Sequence, residues 1–261
     1  MSQLQVFSEQ YTKMHRALNS APMLAQLKAA LPPGVLAPER VVRLALTEIQ
    51  RVRDLAICTR ESFLGGLLTA TAMGLEIGIG GQGWLVPFYN SKLKAKEAVL
   101  IVGYRGMAKL AYQSRMVRDI QARCVYEGDV FDWLLGTESK IEHRPVFTTA
   151  DPLKITHAWT VLRTVDGGLV PDVMSREEIE RVRKRSRAKD DGPWATDYAE
   201  MAKKTVFRRA AKYAPSSTHL ERALELDEQA DRGLPQQFDE VDTKILDMLP
   251  EAPEVEEEAK E

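Results

Sequence analysis

The run Gly192 to Pro215 (Gly-Pro-Trp-Ala-Thr-Asp-Tyr-Ala-Glu-Met-Ala-Lys-Lys-Thr-Val-Phe-Arg-Arg-Ala-Ala-Lys-Tyr-Ala-Pro) leaves the chain few choices. Pro193 ends whatever precedes it, Asp197 and Glu200 have capping-box spacing, and Pro215 with Ser216 and Ser217 stops the run. The helix predicted between these signals puts Ala199, Ala202, Val206, Ala210 and Tyr213 on one side, widened by Phe207 and Ala214. Lys204, Arg208 and Lys212 recur every fourth residue and therefore stack in a row on the opposite side. Like charges at this spacing repel by about 0.2–0.5 kcal/mol per pair, a cost that a bound polyanion removes.

Two neighbours sharpen that reading. Lys203 projects inside the apolar sector, where a cation must snorkel or meet a partner. Trp194 sits just before the helix in a tight Gly-Pro turn. A flat ring beside a cationic row suits a single-stranded nucleic acid, with phosphates on the charges and bases on the ring.

The whole-chain charge of −2 hides a division. Residues 221–261 hold 15 acidic and 4 basic side chains, whereas residues 1–220 hold 32 basic and 23 acidic. A basic body with an acidic tail points to a polyanion partner for the body. With 261 residues, 44% of them hydrophobic, the chain can bury a substantial core. Cys58 and Cys124 have no paired spacing and read as core thiols in a reducing cytoplasm. Met1 to Tyr11 lacks an export pattern. The weakly charged stretch 62–91 is broken by Glu76, Pro87 and seven glycines into runs too short to span a membrane.

Taken in order, residues 7–31 read as helix interrupted at Pro22, Pro38 opens a second helix, and Thr59 caps a third running to about Gly74. Gly78-Ile79-Gly80-Gly81-Gln82-Gly83 formally matches a phosphate-cradling fingerprint. That fingerprint must follow a strand and open a helix, and here it follows a helix and opens the strand Trp84 to Tyr89, so a dinucleotide site is rejected. The glycines instead suit sharp turns or close backbone approach. A buried strand follows at Ala98 to Gly103. The tip between these strands carries Lys92, Lys94 and Lys96, either as solubilising charge or as a phosphate contact. Tyr104 to Tyr112 is a short helix with Met107, Leu110 and Ala111 inward and Arg105, Lys109 and Tyr112 on the other stripe.

Residues 116–174 are β-rich: Val117 to Tyr126, Val130 to Leu135, Glu138 to His143, Ile155 to Val165 and Leu169 to Val173. Asp166-Gly167-Gly168 marks a hairpin between the last two. Ser175 and Glu178 form a capping box for a helix with Ile179 and Val182 inward and Arg181, Lys184 and Arg185 outward. Another helix follows from Thr218 to about Arg232. Beyond the linker at 233–237, Val241, Ile245, Met248 and Leu249 make an apolar stripe inside an acidic tail; partner-coupled folding and inert solvation both fit.

The fold class expected is therefore α+β: N-terminal helices, a central mostly antiparallel β-sheet with crossing helices, C-terminal basic helices and a disordered acidic tail. Residues 1–232 form the functional domain and 233–261 the tail. No P-loop, zinc-ligand cluster or nucleophile elbow occurs, and Asp190, Asp191 and Asp197 beside Trp194 are the least implausible metal ligands. No cofactor is expected, and a Mg-dependent nuclease is the rival reading.

Leu75 to Tyr89, Gly103-Tyr104-Arg105-Gly106, His143-Arg144-Pro145, and Gly192-Pro193-Trp194 followed by Glu200-Met201-Ala202-Lys203-Lys204-Thr205 resemble the RecT family of phage and prophage single-strand annealing proteins, over roughly residues 30–217. The resemblance implies a bacterial cytoplasmic, ATP-independent protein that coats single-stranded DNA as rings or helical filaments. It also implies pairing of complementary strands through an annealed duplex intermediate. A partner 5′-to-3′ exonuclease and a host single-strand-binding protein met by the tail are implied with it. The DNA-binding set expected is Arg105, Lys109, Tyr112, Arg181, Lys184, Arg185, Trp194, Lys203, Lys204, Arg208, Arg209 and Lys212.

Overall fold

The computed structural model describes residues 3–146, 151–190, 192–238 and 241–252. In chain order the elements are α1 (Gln3–Leu18), α2 (Ala21–Ala30), α3 (Pro38–Arg51), α4 (Arg60–Ala72), β1 (Gly83–Asn90), β2 (Ala95–Val102) and α5 (Tyr104–Gln113). Then come β3 (Val117–Tyr126), β4 (Val130–Leu134), β5 (Lys140–Arg144), β6 (Ile155–Thr164) and β7 (Leu169–Ser175). The chain closes with α6 (Arg176–Arg183), α7 (Pro193–Thr196), α8 (Tyr198–Ala211), α9 (Thr218–Arg232) and α10 (Thr243–Leu246). The α+β class and the antiparallel pairing expected from the sequence are both present.

These elements form two compact units, one of Met1–Gly106 with Pro235–Glu261 and one of Met107–Leu234. The chain crosses between the units at 106/107 and again at 234/235. Of the C-terminal segment, Ile245 and Leu249 of the apolar stripe are buried, while Glu256–Glu258 lie outside the described residues.

In the first unit the N-terminal helices and the antiparallel β1–β2 hairpin share a core that includes Leu18, Met23, Leu27, Ile49, Phe63, Leu64, Leu85 and Leu100. The glycine-rich loop before β1 turns through positive φ at Gly78, Gly80 and Gly81. Its carbonyls also crowd the start of α5, where a Cβ on Gly106 would lie 2.0 Å from the Gln82 carbonyl oxygen. Close backbone approach is thus what the loop serves. Lys96 is not a tip residue: it lies in β2 and pairs with Asp54 at 2.6 Å.

In the second unit the sheet order is β3-β6-β7, all antiparallel, with the predicted turn at Asp166–Gly168 joining β6 to β7. One face of this sheet packs Cys124, Ala158 and Met174 against Ala202 and Val206 of α8. Alternation sends Val125, Trp159 and Val173 to the other face, where Phe131 and Ile141 of the β4–β5 hairpin cover them. A polar chain pins that hairpin: Trp159 Nε1–H donates to His143 Nδ1 (3.1 Å), and His143 Nε2 lies 2.9 Å from Asp129. With Nδ1 accepting from Trp159, Nε2 is the ring nitrogen turned to the carboxylate.

Burial pushes the Asp129 carboxyl up, but hydrogen bonds from Tyr126 N–H, His143 and Val146 N–H outweigh it and hold the group below its ordinary 3.8. A depressed folded value contributes stability above the unfolded value and loses it as pH falls through the folded one. Urea melts of Asp129→Asn should therefore show a stability deficit that is full at neutral pH, begins to shrink below 3.8 and closes as pH falls through the folded value. A deficit that did not change with pH would remove the carboxylate from this role.

Candidate nucleic-acid interface

Helix α8 and its C-cap Lys212 carry half of the cations predicted to hold a phosphate backbone. Its apolar stripe behaves as expected, with Ala202, Val206, Phe207 and Ala210 all buried. Tyr213 does not: it is 79% exposed, because the helix ends at Ala211 and the wheel no longer applies to it. The start also differs. Asp197 makes no side-chain cap; it accepts from Thr196 Oγ1 at 2.6 Å, and Glu200 pairs with Lys203.

The opposite face of α8 is where prediction and structure part. Lys204 and Arg208 do not meet solvent; they meet α9. Lys204 Nζ lies 2.7 Å from Asp227 Oδ1, and Arg208 Nη1 lies 3.1 Å from Asp227 Oδ2 and 2.8 Å from Asp231. The Asp227 side chain is 2% exposed and the Lys204 side chain 10%. Burial acts to lower the Arg208 pKa, but Asp227 and Asp231 outweigh it, and the guanidinium stays charged. Asp231 also accepts from Ser186 Oγ at 3.0 Å, fastening the end of α6 to the same centre. The polyanion that relieves the repulsion along this row is thus a set of carboxylates on the next helix. Lys212, at the open end, pairs with Glu228 at 3.3 Å and stays exposed.

Two further members of the predicted set are structural. Arg209 grips Asp172 in bidentate fashion (2.7 Å twice), Glu178 at 2.8 Å and the Val173 carbonyl at 2.7 Å, tying α8 to β7 and α6. The Asp172 hydrogen bonds come first among the effects that raise its pKa. Trp194 offers no face to a base, being 2% exposed and packed edge-on to Tyr198, with ring centroids 5.8 Å apart. The signal for this was present, since Trp194, Tyr198, Ala202, Val206 and Ala210 fall four apart and extend the buried stripe. Lys203, expected to need a partner, has one in Glu200.

What remains on the surface is a smaller cationic set. At the end of α6 in the second unit, Arg181, Lys184 and Arg185 are exposed and form no ion pair among the described residues. On α5, Arg105 is exposed beside Gly81, Lys109 is half-buried, and Tyr112 is 44% exposed, with its hydroxyl accepting from Ile120 N–H at 3.2 Å. Sequence reasoning passed over Arg118 and Arg123 of β3, both exposed and without ion pairs among the described residues. Arg123 pairs in register with Trp159, and the alternation of Ile120, Ala122 and Cys124 with Gln121 and Arg123 was the signal that it points away from α8.

Asp190 is exposed, 3.9 Å from Lys189, while Asp191 lies outside the described residues. Among the described residues no group of three His, Cys, Asp or Glu side chains is placed to hold a metal ion, and no helix is long and apolar enough to cross a membrane. Burial pushes both thiols, Cys58 and Cys124, up to about 12.

The fold and its surface define an α+β protein with an ion-paired interior and exposed cations, among them Arg118, Arg123, Arg181, Lys184 and Arg185, on helix and strand positions. Residues 39–244 match the RecT family, and the chain is 41% identical over 232 residues to Protein RecT of Escherichia coli (strain K12), covering 88% of this chain and 84% of that protein. The chain belongs to the RecT family, a family of DNA recombination and annealing proteins.

Proposed function

We propose that the protein binds single-stranded DNA and anneals complementary strands without ATP, working as an oligomer that coats the phosphate backbone. The observation that carries this reading is the family match across 39–244, which takes in all but the first residue of α3 and every described element from α4 to α9. The surface chemistry agrees with it. Arg181, Lys184 and Arg185 at the end of α6, with Arg105, Lys109, Tyr112 and the peripheral Lys203 and Lys212, form the revised DNA-contacting set. Phosphates held by such cations leave base edges open, so a second strand is tested by pairing and sequence is read by the DNA. Trp194, Lys204, Arg208 and Arg209 act through the fold instead. A bacterial cytoplasmic setting, a partner 5′-to-3′ exonuclease and a host single-strand-binding protein complete the proposal.

Single strands lose affinity with salt at about −0.7 log unit per neutralised phosphate, so about five contacts give roughly a hundredfold loss between about 50 and about 200 mM salt. Converting Arg181, Lys184 and Arg185 together to alanine should flatten that slope by about 2 while the thermal melt holds. Fluorescence titrations of labelled poly-dT over a salt series read it directly. An unchanged slope would take the end of α6 out of the interface.

A further inference from the structure

The nine residues Arg181 to Lys189 hold six cations, and α6 ends among them at Arg183. The backbone carries the helical turn a little further, with Lys184 N–H on the Glu180 carbonyl (2.9 Å), Arg185 N–H on Val182 (3.1 Å) and Ser186 N–H on Arg183 (2.9 Å). A last turn crowded with like charges three and four apart is one that frays. Here it is held at three further places. Ser186, 6% exposed, donates its hydroxyl to Asp231 Oδ1 at 3.0 Å and accepts from Ala188 N–H at 3.4 Å. Arg187 N–H donates to the Asp231 carbonyl at 2.8 Å. Arg183 Nε–H donates to the Lys189 carbonyl at 2.9 Å, while its guanidinium stands 6.0 Å from the centre of the buried Tyr198 ring.

The anchor is the last turn of α9. Asp231 is gripped from its other side by Arg208 at 2.8 Å, so its carboxylate does not depend on Ser186 for a partner. Beside it α9 closes at Gly233 with φ +64, and the stem of Arg187 lies along that glycine: a Cβ there would sit 3.2 Å from Arg187 Cδ. None of the three attachments uses the charged head of Arg181, Lys184 or Arg185. Those heads stay exposed while the backbone under them is fixed. The Ser186 hydroxyl thus adds little to a core that is already paired; what it sets is the course of the chain next to the exposed cations.

A loose cationic turn must give up its motion when a phosphate strand binds, and that ordering weakens the complex. In this chain the ordering is done beforehand by the fold. We propose that Ser186 is a positioning residue for DNA binding: clamped on Asp231, it holds the turn after α6 so that Arg181, Lys184 and Arg185 stand arranged for phosphates before a strand arrives. This role rests on the end of α6 contacting single-stranded DNA. Releasing the turn returns the ordering of two or three long side chains to the binding step, a loss of about tenfold in affinity.

The test compares Ser186→Ala and Ser186→Thr in the full chain. Poly-dT affinity of the alanine variant should fall about tenfold while the salt slope stays that of the parent, because every cation is still present. Its melting temperature should stay close to the parent's, and threonine, which keeps the hydroxyl, should restore the affinity. Mobility of the turn is read without DNA from a nitroxide attached at Lys189→Cys, the native thiols being buried and pushed up to about 12. Ser186→Ala should sharpen the nitroxide spectrum and Ser186→Thr should leave it as in the parent. Unchanged affinity in the alanine variant, a label no more mobile than in the parent, or a threonine variant as weak as alanine would each overturn the proposal. So would a melt that collapses with Ser186→Ala, which would make the hydroxyl a support of the fold. Failure of the DNA reading shows separately, as a salt slope indifferent to loss of Arg181, Lys184 and Arg185, whereas the label reports on the turn with no DNA present.

Discussion

Replacing Asp227 with alanine is expected to cost about 3–5 kcal/mol of stability, a large part of what holds a domain of this size together. The carboxylate is 2% exposed and faces two cations, Lys204 at 2.7 Å and Arg208 at 3.1 Å. Removing it strands a buried ammonium, and Arg208 keeps only Asp231. The converse change, Lys204→Ala, should also lower the melting temperature, which sets it apart from a surface phosphate contact. A volume-matched apolar pair, Lys204→Met with Asp227→Leu, should recover much of the loss, because the penalty comes from an unpaired charge rather than from absence of the pair. Urea denaturation of the three variants decides this, and a melt indifferent to Asp227→Ala would return Lys204 to the surface.

Trp194→Ala is the second large effect, again about 3–5 kcal/mol, by emptying a site beside Tyr198 in the core cluster that also holds Cys124, Ile155 and Ile179. Trp194→Phe should retain more of the packing. If the ring stacked on bases, alanine would instead lower DNA affinity at constant stability, by the 1–3 kcal/mol typical of one base–aromatic contact. Measuring both the melt and poly-dT affinity of the folded variant separates the two roles, and the buried position predicts the change in the melt.

These two residues show where reading the chain succeeded and where it could not. Local signals worked: Val117 to Tyr126 is β3 to the residue, and the Ser175–Glu178 capping box is formed in full. The box is closed by hydrogen bonds three positions apart, and the strand is marked by its own β-forming residues and flanking turns, so the sequence carries both even though β3 pairs with the distant β6. Lys204 and Arg208 are buried against α9 rather than exposed for a tertiary reason. Asp227, Glu228 and Asp231 had been counted with the acidic tail, beyond the break at Pro215, and no local rule says that α9 folds back along α8. Asp227 and Asp231, four apart like Lys204 and Arg208, take those two cations, and Glu228 takes Lys212; this pairing was legible only once both helices were considered together. The C-terminal stripe at Ile245 and Leu249 was visible as amphipathic, but what it covers was not, because an apolar stripe does not name its partner.

The most direct test of the functional account mixes two complementary labelled oligonucleotides with the purified protein, without ATP, and follows duplex formation against a control lacking protein. The account predicts faster pairing with both strands intact. Pairing at the control rate, or strands shortened once Mg is added, would contradict it.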